Sequence, residues 1–211
     1  MFFDNLIKKW QISKLKDPKY IYLFNEEPPQ EYVCLDCETT GLNPKKDEII
    51  SIGAVIIKEN RVLMSNTFNI YVKPQKNVTG DSIKIHQIRP VDLQNAVDAK
   101  VAIRALLEFI QNRPIVGYYI KFDIAMISKY TKELIGIKLP NRTIEVSSMY
   151  YKTRPKNSEY EFIDLKFDTI MKTLNIPELG KHDALNDAIM TSMMFLKLKD
   201  LTPAKSTFYE G

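Results

Sequence analysis

From Glu31 to Lys73 the apolar residues recur mainly with the two-residue period of β-strands. In the first of these segments Val33, Leu35 and Cys37 share one side and Cys34, Asp36 and Glu38 the other. Glu48–Lys58 is almost continuously aliphatic, the pattern of a strand buried on both faces. Lys58-Glu59-Asn60-Arg61 reads as a hairpin turn, after which Arg61–Lys73 alternates, with Val62, Met64, Phe68, Ile70 and Val72 predicted on one face. The result is a meander of strands.

The period then changes. Asp98 offers an N-cap for a helix from Ala99 to about Gln111, and Pro114–Gly117 is a short strand. A helix follows from near Phe122, with Asp123 in its first turn and Gly136 at its C-terminal end. Thr143–Tyr151 is strand-like, Lys152–Glu161 is polar, and Asp164 can cap a helix to about Leu174. The last helix, Asp183 to Leu198, is apolar almost all the way round, as in a deeply packed element. The order β-β-β-α-β-α-β-α-α predicts an α/β domain over residues 31–200, a mixed sheet flanked by helices, with a short tail at 201–211. Residues 1–30 read as an appendage. Phe2, Phe3, Leu6, Ile7 and Trp10 recur at helical spacing, Asp17-Pro18 stops the helix, and Glu26–Pro29 connects. That helix either packs on the domain's own surface or serves as a docking arm for a partner protein.

Composition changes little in this picture. With 211 residues, 45% hydrophobic and 27% charged, the chain can bury a core without staples. The 30 basic residues exceed the 26 acidic ones only slightly, which permits a polyanionic partner without demanding one. No apolar run is long enough to span a bilayer, and Met1–Trp10, carrying Asp4, Lys8 and Lys9, lacks a secretory core. A cytoplasmic protein with no membrane partner is expected. Cys34 and Cys37 form a C-x-x-C, but on a strand that spacing points the thiols to opposite faces, and no further cysteine completes a zinc site. They are expected to be reduced core residues.

The chemistry lies in the acids. Asp36 and Glu38 share one face of a strand, about 7 Å apart. Carboxylates are depleted in strands and costly to bury, so the pair reads either as ligands for hard divalent cations or as a strand end entering a polar turn. Asp187 sits in an apolar surround near the start of the last helix. His182 precedes it by five positions, about 140° of helical rotation, so only a histidine still in the loop could reach the same ligand. Asp123 suits a helix start for capping reasons alone.

The segments Asp36-Cys37-Glu38-Thr39-Thr40-Gly41-Leu42, Phe122-Asp123 and His182-Asp183-Ala184-Leu185-Asn186-Asp187 resemble the three signature motifs of the DEDDh exonucleases. Within that family they are most similar to the proofreading epsilon subunits of bacterial DNA polymerase III. The resemblance spans residues 31–199 and implies a ribonuclease-H-like fold. It implies that Asp36, Glu38, Asp123 and Asp187 ligate two divalent cations, Mg²⁺ or Mn²⁺, and that His182 is the general base. It further implies that Thr39, Thr40, Gly41 and Leu42 hold the 3′-terminal nucleotide of a nucleic acid, DNA foremost, with Asp81 and His86 near it. Partnership with a DNA polymerase subunit is implied as well. Two departures stand out: Gln87 replaces the glycine usual after His86, and Tyr118-Tyr119-Ile120-Lys121-Phe122-Asp123 replaces H-N-A-x-F-D. The usual asparagine contact is therefore absent, and Tyr119 beside Phe122 can stack on a base instead. The expected activity is 3′→5′ hydrolysis of DNA to nucleoside 5′-monophosphates, with an RNA-trimming exonuclease or oligoribonuclease and an inactive nucleic-acid- or polymerase-binding module as alternatives.

Overall fold

A computed structural model describes residues 2–75, 88–89, 91–154, 162–180 and 182–201. Helix α1 (Phe2–Ser13) and a 3₁₀ segment (Pro18–Phe24) precede strands β1 (Glu31–Thr39), β2 (Ile49–Lys58) and β3 (Arg61–Tyr71). Then come α2 (Ala99–Ile110), β4 (Ile115–Gly117), α3 (Ile120–Ile135), β5 (Thr143–Glu145), α4 (Val146–Thr153), α5 (Phe167–Thr173) and α6 (Ala184–Leu201). The five-stranded sheet has the order β3-β2-β1-β4-β5. β1 pairs antiparallel with β2 and parallel with β4, and β4 runs parallel to β5. This is the mixed, helix-flanked α/β sheet expected.

Alternation along β1 decides which helix meets which face. Val33, Leu35 and Cys37 join the cluster built with α2 and α3, whereas Cys34 joins the cluster built with α4, α5 and α6. The two thiols are free, buried and on opposite faces, and burial pushes both well above the ordinary cysteine range, which leaves them unreactive. β2 is buried along its whole length except Lys58, as the aliphatic run predicts. Glu59 and Asn60 turn the hairpin with φ of 50° and 60°, the positive values that a two-residue turn of matching twist requires.

Three expectations are corrected. Residues 64–66 bulge out of the β2–β3 ladder between the pairs Val55↔Thr67 and Ile56↔Leu63. Met64 is therefore exposed, and Val62 packs on the α6 face while Phe68 and Ile70 pack on the α2 face. Thr143–Tyr151 is a strand only to Glu145; Val146, Met149 and Tyr150 are then buried at i, i+3 and i+4, a helical period. α5 starts at Phe167, and Asp164 caps it from outside by accepting from Lys166 N–H and the Thr169 hydroxyl.

The stretch preceding β1 is not uniformly peripheral. Tyr20, Leu23 and Phe24 are buried in the α2/α3 cluster, and Lys16 N–H donates to Ile135 O at the end of α3. In α1, Leu6, Ile7 and Trp10 are 49%, 56% and 62% exposed, whereas Ile12 packs against that cluster.

One close approach sets the geometry of α6. Gly53 of β2 pairs with Asp36 of β1, and a Cβ on Gly53 would lie 2.1 Å from the Ala184 carbonyl carbon and 2.2 Å from Leu185 N. The first turn of α6 thus rests on bare sheet backbone. Gly53→Ala is expected to lift that turn and cost about 1–3 kcal/mol, the scale of overpacking; chemical denaturation unchanged from wild type would refute the constraint.

Candidate active site

The parallel strands β1, β4 and β5 end at one edge of the sheet, and the chain brings its polar chemistry there, as α/β sheets generally do at their carboxyl ends. Asp36 and Glu38 close β1. Asp123 lies in the first turn of α3, buried, and its Oδ1 accepts from Cys37 N–H at 3.1 Å, which ties α3 to the middle of the acidic pair. Asp187 lies in the first turn of α6. His182 has a left-handed φ of 62°, as does Gly180 at 92°, so the loop folds back over the helix start. There His182 N–H donates to Asp187 Oδ2 at 3.1 Å, Asn186 Nδ2 donates to Leu179 O, and Asp183 Oδ1 accepts from Asn186 N–H. Ligand atoms of Glu38, His182 and Asp187 come within 4.8 Å of one another. The histidine that helical rotation alone would carry away from Asp187 is brought back by the loop.

The electrostatics match the crowding. Burial, then the charges of Asp123, Glu38, Asp187 and Asp183, push Asp36 well above the usual carboxylate range. Burial first, with Asp187 and Asp183 adding to it, pushes Glu38 up to about 7. Burial pushes Asp123 up to about 8, against the lowering by the N–H groups it accepts from. Such a set is stable in ionised form only against positive charge. Oxygen donors at this spacing suit a hard divalent cation; Glu38, Asp187 and His182 bring their ligand atoms together, and Asp36 and Asp123 lie beside them on the cleft.

Beside the acids opens a cleft of about 690 Å³ lined by Asp36, Asp123, Leu42, Tyr119, Phe122 and Glu145, among others. The loop after β1 is stitched to itself. Thr39 Oγ1 donates to Gly41 O at 2.8 Å, Thr40 Oγ1 accepts from Glu48 N–H at 3.0 Å, and Asp47 Oδ2 accepts from Asn43 N–H at 2.8 Å. Gly41 lies against the Asp47 carboxylate, where a Cβ would come within 2.7 Å. With both threonine hydroxyls engaged locally, the loop presents Leu42, 86% exposed, to the cleft. Tyr119, 62% exposed, stands on the cleft wall with its ring edge-on to Tyr118 at 4.6 Å between centroids. Asp81, His86 and Gln87 lie outside the described residues.

Sequence reasoning missed Glu145, Asp183 and Gly53. Glu145 stood in a segment read as strand. Asp183 was read only as the start of the helix, although it is one more acid beside Asp36 and Glu38. The glycine inside an aliphatic strand was the available signal for Gly53.

The mixed five-stranded sheet with helices on both faces is the ribonuclease-H-like fold expected. The model of an exonuclease family matches residues 33–195, and the chain belongs to that family. It is 30% identical over 171 residues to a PolC-type DNA polymerase III of Caldanaerobacter subterraneus, covering 80% of this chain and 11% of that protein. It is 26% identical over 167 residues to the DNA polymerase III subunit epsilon of Aquifex aeolicus, covering 79% of each. The chain thus spans only a small part of the PolC-type proteins it matches. In structure it resembles E. coli exonuclease I in a zinc-bound complex with single-stranded DNA, with a TM-score of 0.69 and 17% identity, over 85% of this chain and 42% of that one.

A raised carboxylate pKa stabilises the folded state at low pH. The contribution is fully present below the unfolded values of about 4, and it is lost as pH rises through about 7 for Glu38 and about 8 for Asp123. The melting temperature of the chelated protein is therefore expected to fall from about pH 5 to about pH 8, and Mn²⁺ to raise it more at the higher pH. A chelated melting temperature that is flat or rising across that interval would refute this account.

Proposed function

We propose that the protein is a divalent-cation-dependent 3′→5′ exonuclease that hydrolyses DNA from its 3′ end to nucleoside 5′-monophosphates, acting in proofreading and in the cytoplasm. The observation that carries this reading is the convergence of Asp36, Glu38, Asp123, Asp187 and His182 on one sheet edge beside an aromatic cleft. The epsilon subunit and the PolC-type polymerases among its relatives support DNA as substrate and a polymerase as partner.

Asp36, Glu38, Asp123 and Asp187 would hold a pair of Mg²⁺ or Mn²⁺ ions. When bound, the pair supplies charge stabilisation to the attacking and leaving oxygens of an in-line displacement. The exposed His182 imidazole takes the proton of the attacking water. The water oxygen bonds to phosphorus, the bond from phosphorus to the 3′ oxygen of the preceding nucleotide breaks, that oxygen takes a proton from solvent to become the new 3′ hydroxyl, and the terminal nucleotide leaves as a 5′-monophosphate. Leu42, Tyr119 and Phe122 give the terminal bases apolar and aromatic surfaces, which are tolerant of sequence. The Thr39–Gly41 loop fixes the backbone that approaches the sugar.

With Mg²⁺ or Mn²⁺, 5′-labelled single-stranded DNA is expected to give a ladder of shortened products, and Asp36→Ala to abolish it. His182→Ala is expected to lower kcat by about 10²–10⁴-fold while Mn²⁺ affinity changes far less. A ladder absent with either ion on both DNA and RNA overturns the proposal, and a ladder on RNA alone reassigns the substrate.

A further inference from the structure

Glu145 stands at the end of β5 on the wall of the cleft, in contact with three backbone amides. Its Oε1 accepts from Tyr119 N–H at 3.1 Å, and its Oε2 from Ile120 N–H at 3.0 Å. Oε1 also accepts from Ser147 N–H at 3.1 Å and from the Ser147 hydroxyl at 2.7 Å. One carboxylate therefore caps α4, where it is the N-cap, and also satisfies two of the open amides at the start of α3.

Tyr119 is the N-cap residue of α3 with φ 52° and ψ 33°, a left-handed conformation that is unfavourable for a bulky side chain, and its own side chain makes no capping bond. Something outside the turn must hold it. Glu145 accepts from both Tyr119 N–H and Ile120 N–H, and these amides lie between the aromatic ring on the cleft wall and Asp123 one helical turn on. We infer that Glu145 is a positioning residue: by gripping the α3 N-terminus from β5, it holds Tyr119 in the left-handed turn that presents its ring to a nucleobase and sets the Asp123 carboxylate against Cys37 N–H.

Both carboxylate oxygens are required. In Glu145→Gln one of them becomes an NH₂ that faces either Ile120 N–H or the Tyr119 and Ser147 amides, donor against donor, so one grip is lost whichever way the amide turns. Glu145→Asp keeps two oxygens at shorter reach. A glycine at 119 adopts the left-handed turn without strain, so the turn no longer depends on the grip.

The inference rests on the proposed exonuclease reading, and its test uses binding rather than turnover. Mn²⁺ affinity by calorimetry and affinity for a single-stranded phosphorothioate oligonucleotide by fluorescence anisotropy are measured for wild type, Glu145→Gln, Glu145→Asp, Tyr119→Gly and the Glu145→Gln/Tyr119→Gly double variant. Glu145→Gln is expected to weaken both affinities about tenfold, with Glu145→Asp intermediate. Tyr119→Gly is expected to weaken oligonucleotide binding alone. The double variant should bind the oligonucleotide no more weakly than Tyr119→Gly and recover most of the Mn²⁺ affinity that Glu145→Gln loses. Additive losses in the double variant, or unchanged affinities in Glu145→Gln, overturn the inference. If Glu145→Gln does not fold, the same comparison between Glu145→Asp and its Tyr119→Gly double decides it. Wild type that binds Mn²⁺ and the oligonucleotide but yields no shortened products would refute the exonuclease proposal and leave these comparisons intact.

Discussion

The structure is arranged around negative charge gathered at the end of one strand. Asp36, Glu38, Asp123 and Asp187 crowd the carboxyl end of β1, with Asp183 behind them, and the carboxylates that burial affects are driven toward protonation. Burying charge breaks even only where an ion pair compensates it. The chain has ion pairs of that kind elsewhere: Glu31, at the start of β1, meets both Lys58 at 2.8 Å and Arg113 at 2.9 Å. Glu31's pKa is lowered and those of Asp36, Glu38 and Asp123 are raised. One end of the same strand carries a carboxylate lowered by basic partners; the other carries carboxylates raised by burial and by one another.

Holding like charges together takes scaffolding, and each acid has its own. Asp36 and Glu38 are fixed by ladder pairing to Gly53 and Ser51. Asp123 is fixed by Cys37 N–H, so the strand that carries the first two acids also anchors the third. Asp187 is brought in by the missing side chain at Gly53 and by the fold-back loop whose His182 amide it accepts. The backbone amides of Cys37 and His182 are among the donors that hold Asp123 and Asp187.

Much of this was legible in the sequence because it rests on local periodicity. The alternation in β1 separates Cys34 from Cys37 and puts Asp36 with Glu38, and the pairing bears it out. The caps at Asp98 and Gly136 are local chemistry and were readable for the same reason. What escaped depends on contacts between distant segments. The bulge at 64–66 flips the face of Val62 without any glycine or proline to mark it. The loop that returns His182 to Asp187 uses a left-handed histidine, which no helical-wheel argument contains. The burial of Tyr20, Leu23 and Phe24 is likewise tertiary, since a Pro-led segment between two connectors carries no periodic signal.

Glu145 shows most clearly why a motif can be complete and still be only part of a site. The motifs carry the acids and the histidine gathered at the sheet edge, and each is a short run of residues. The group that orients the second motif lies on another strand, and its side chain acts on amides, so its role depends on position rather than on any pattern around it. The substitution of Tyr119 at the α3 N-cap makes this dependence sharper. An N-cap of Ser, Asn or Asp would satisfy an amide with its own side chain. Tyrosine does not, and the left-handed backbone adds strain, so the turn must draw its acceptor from elsewhere. What the cleft gains is an aromatic surface at its mouth, and what it requires in return is a carboxylate on β5 whose two oxygens are committed to holding that surface in place.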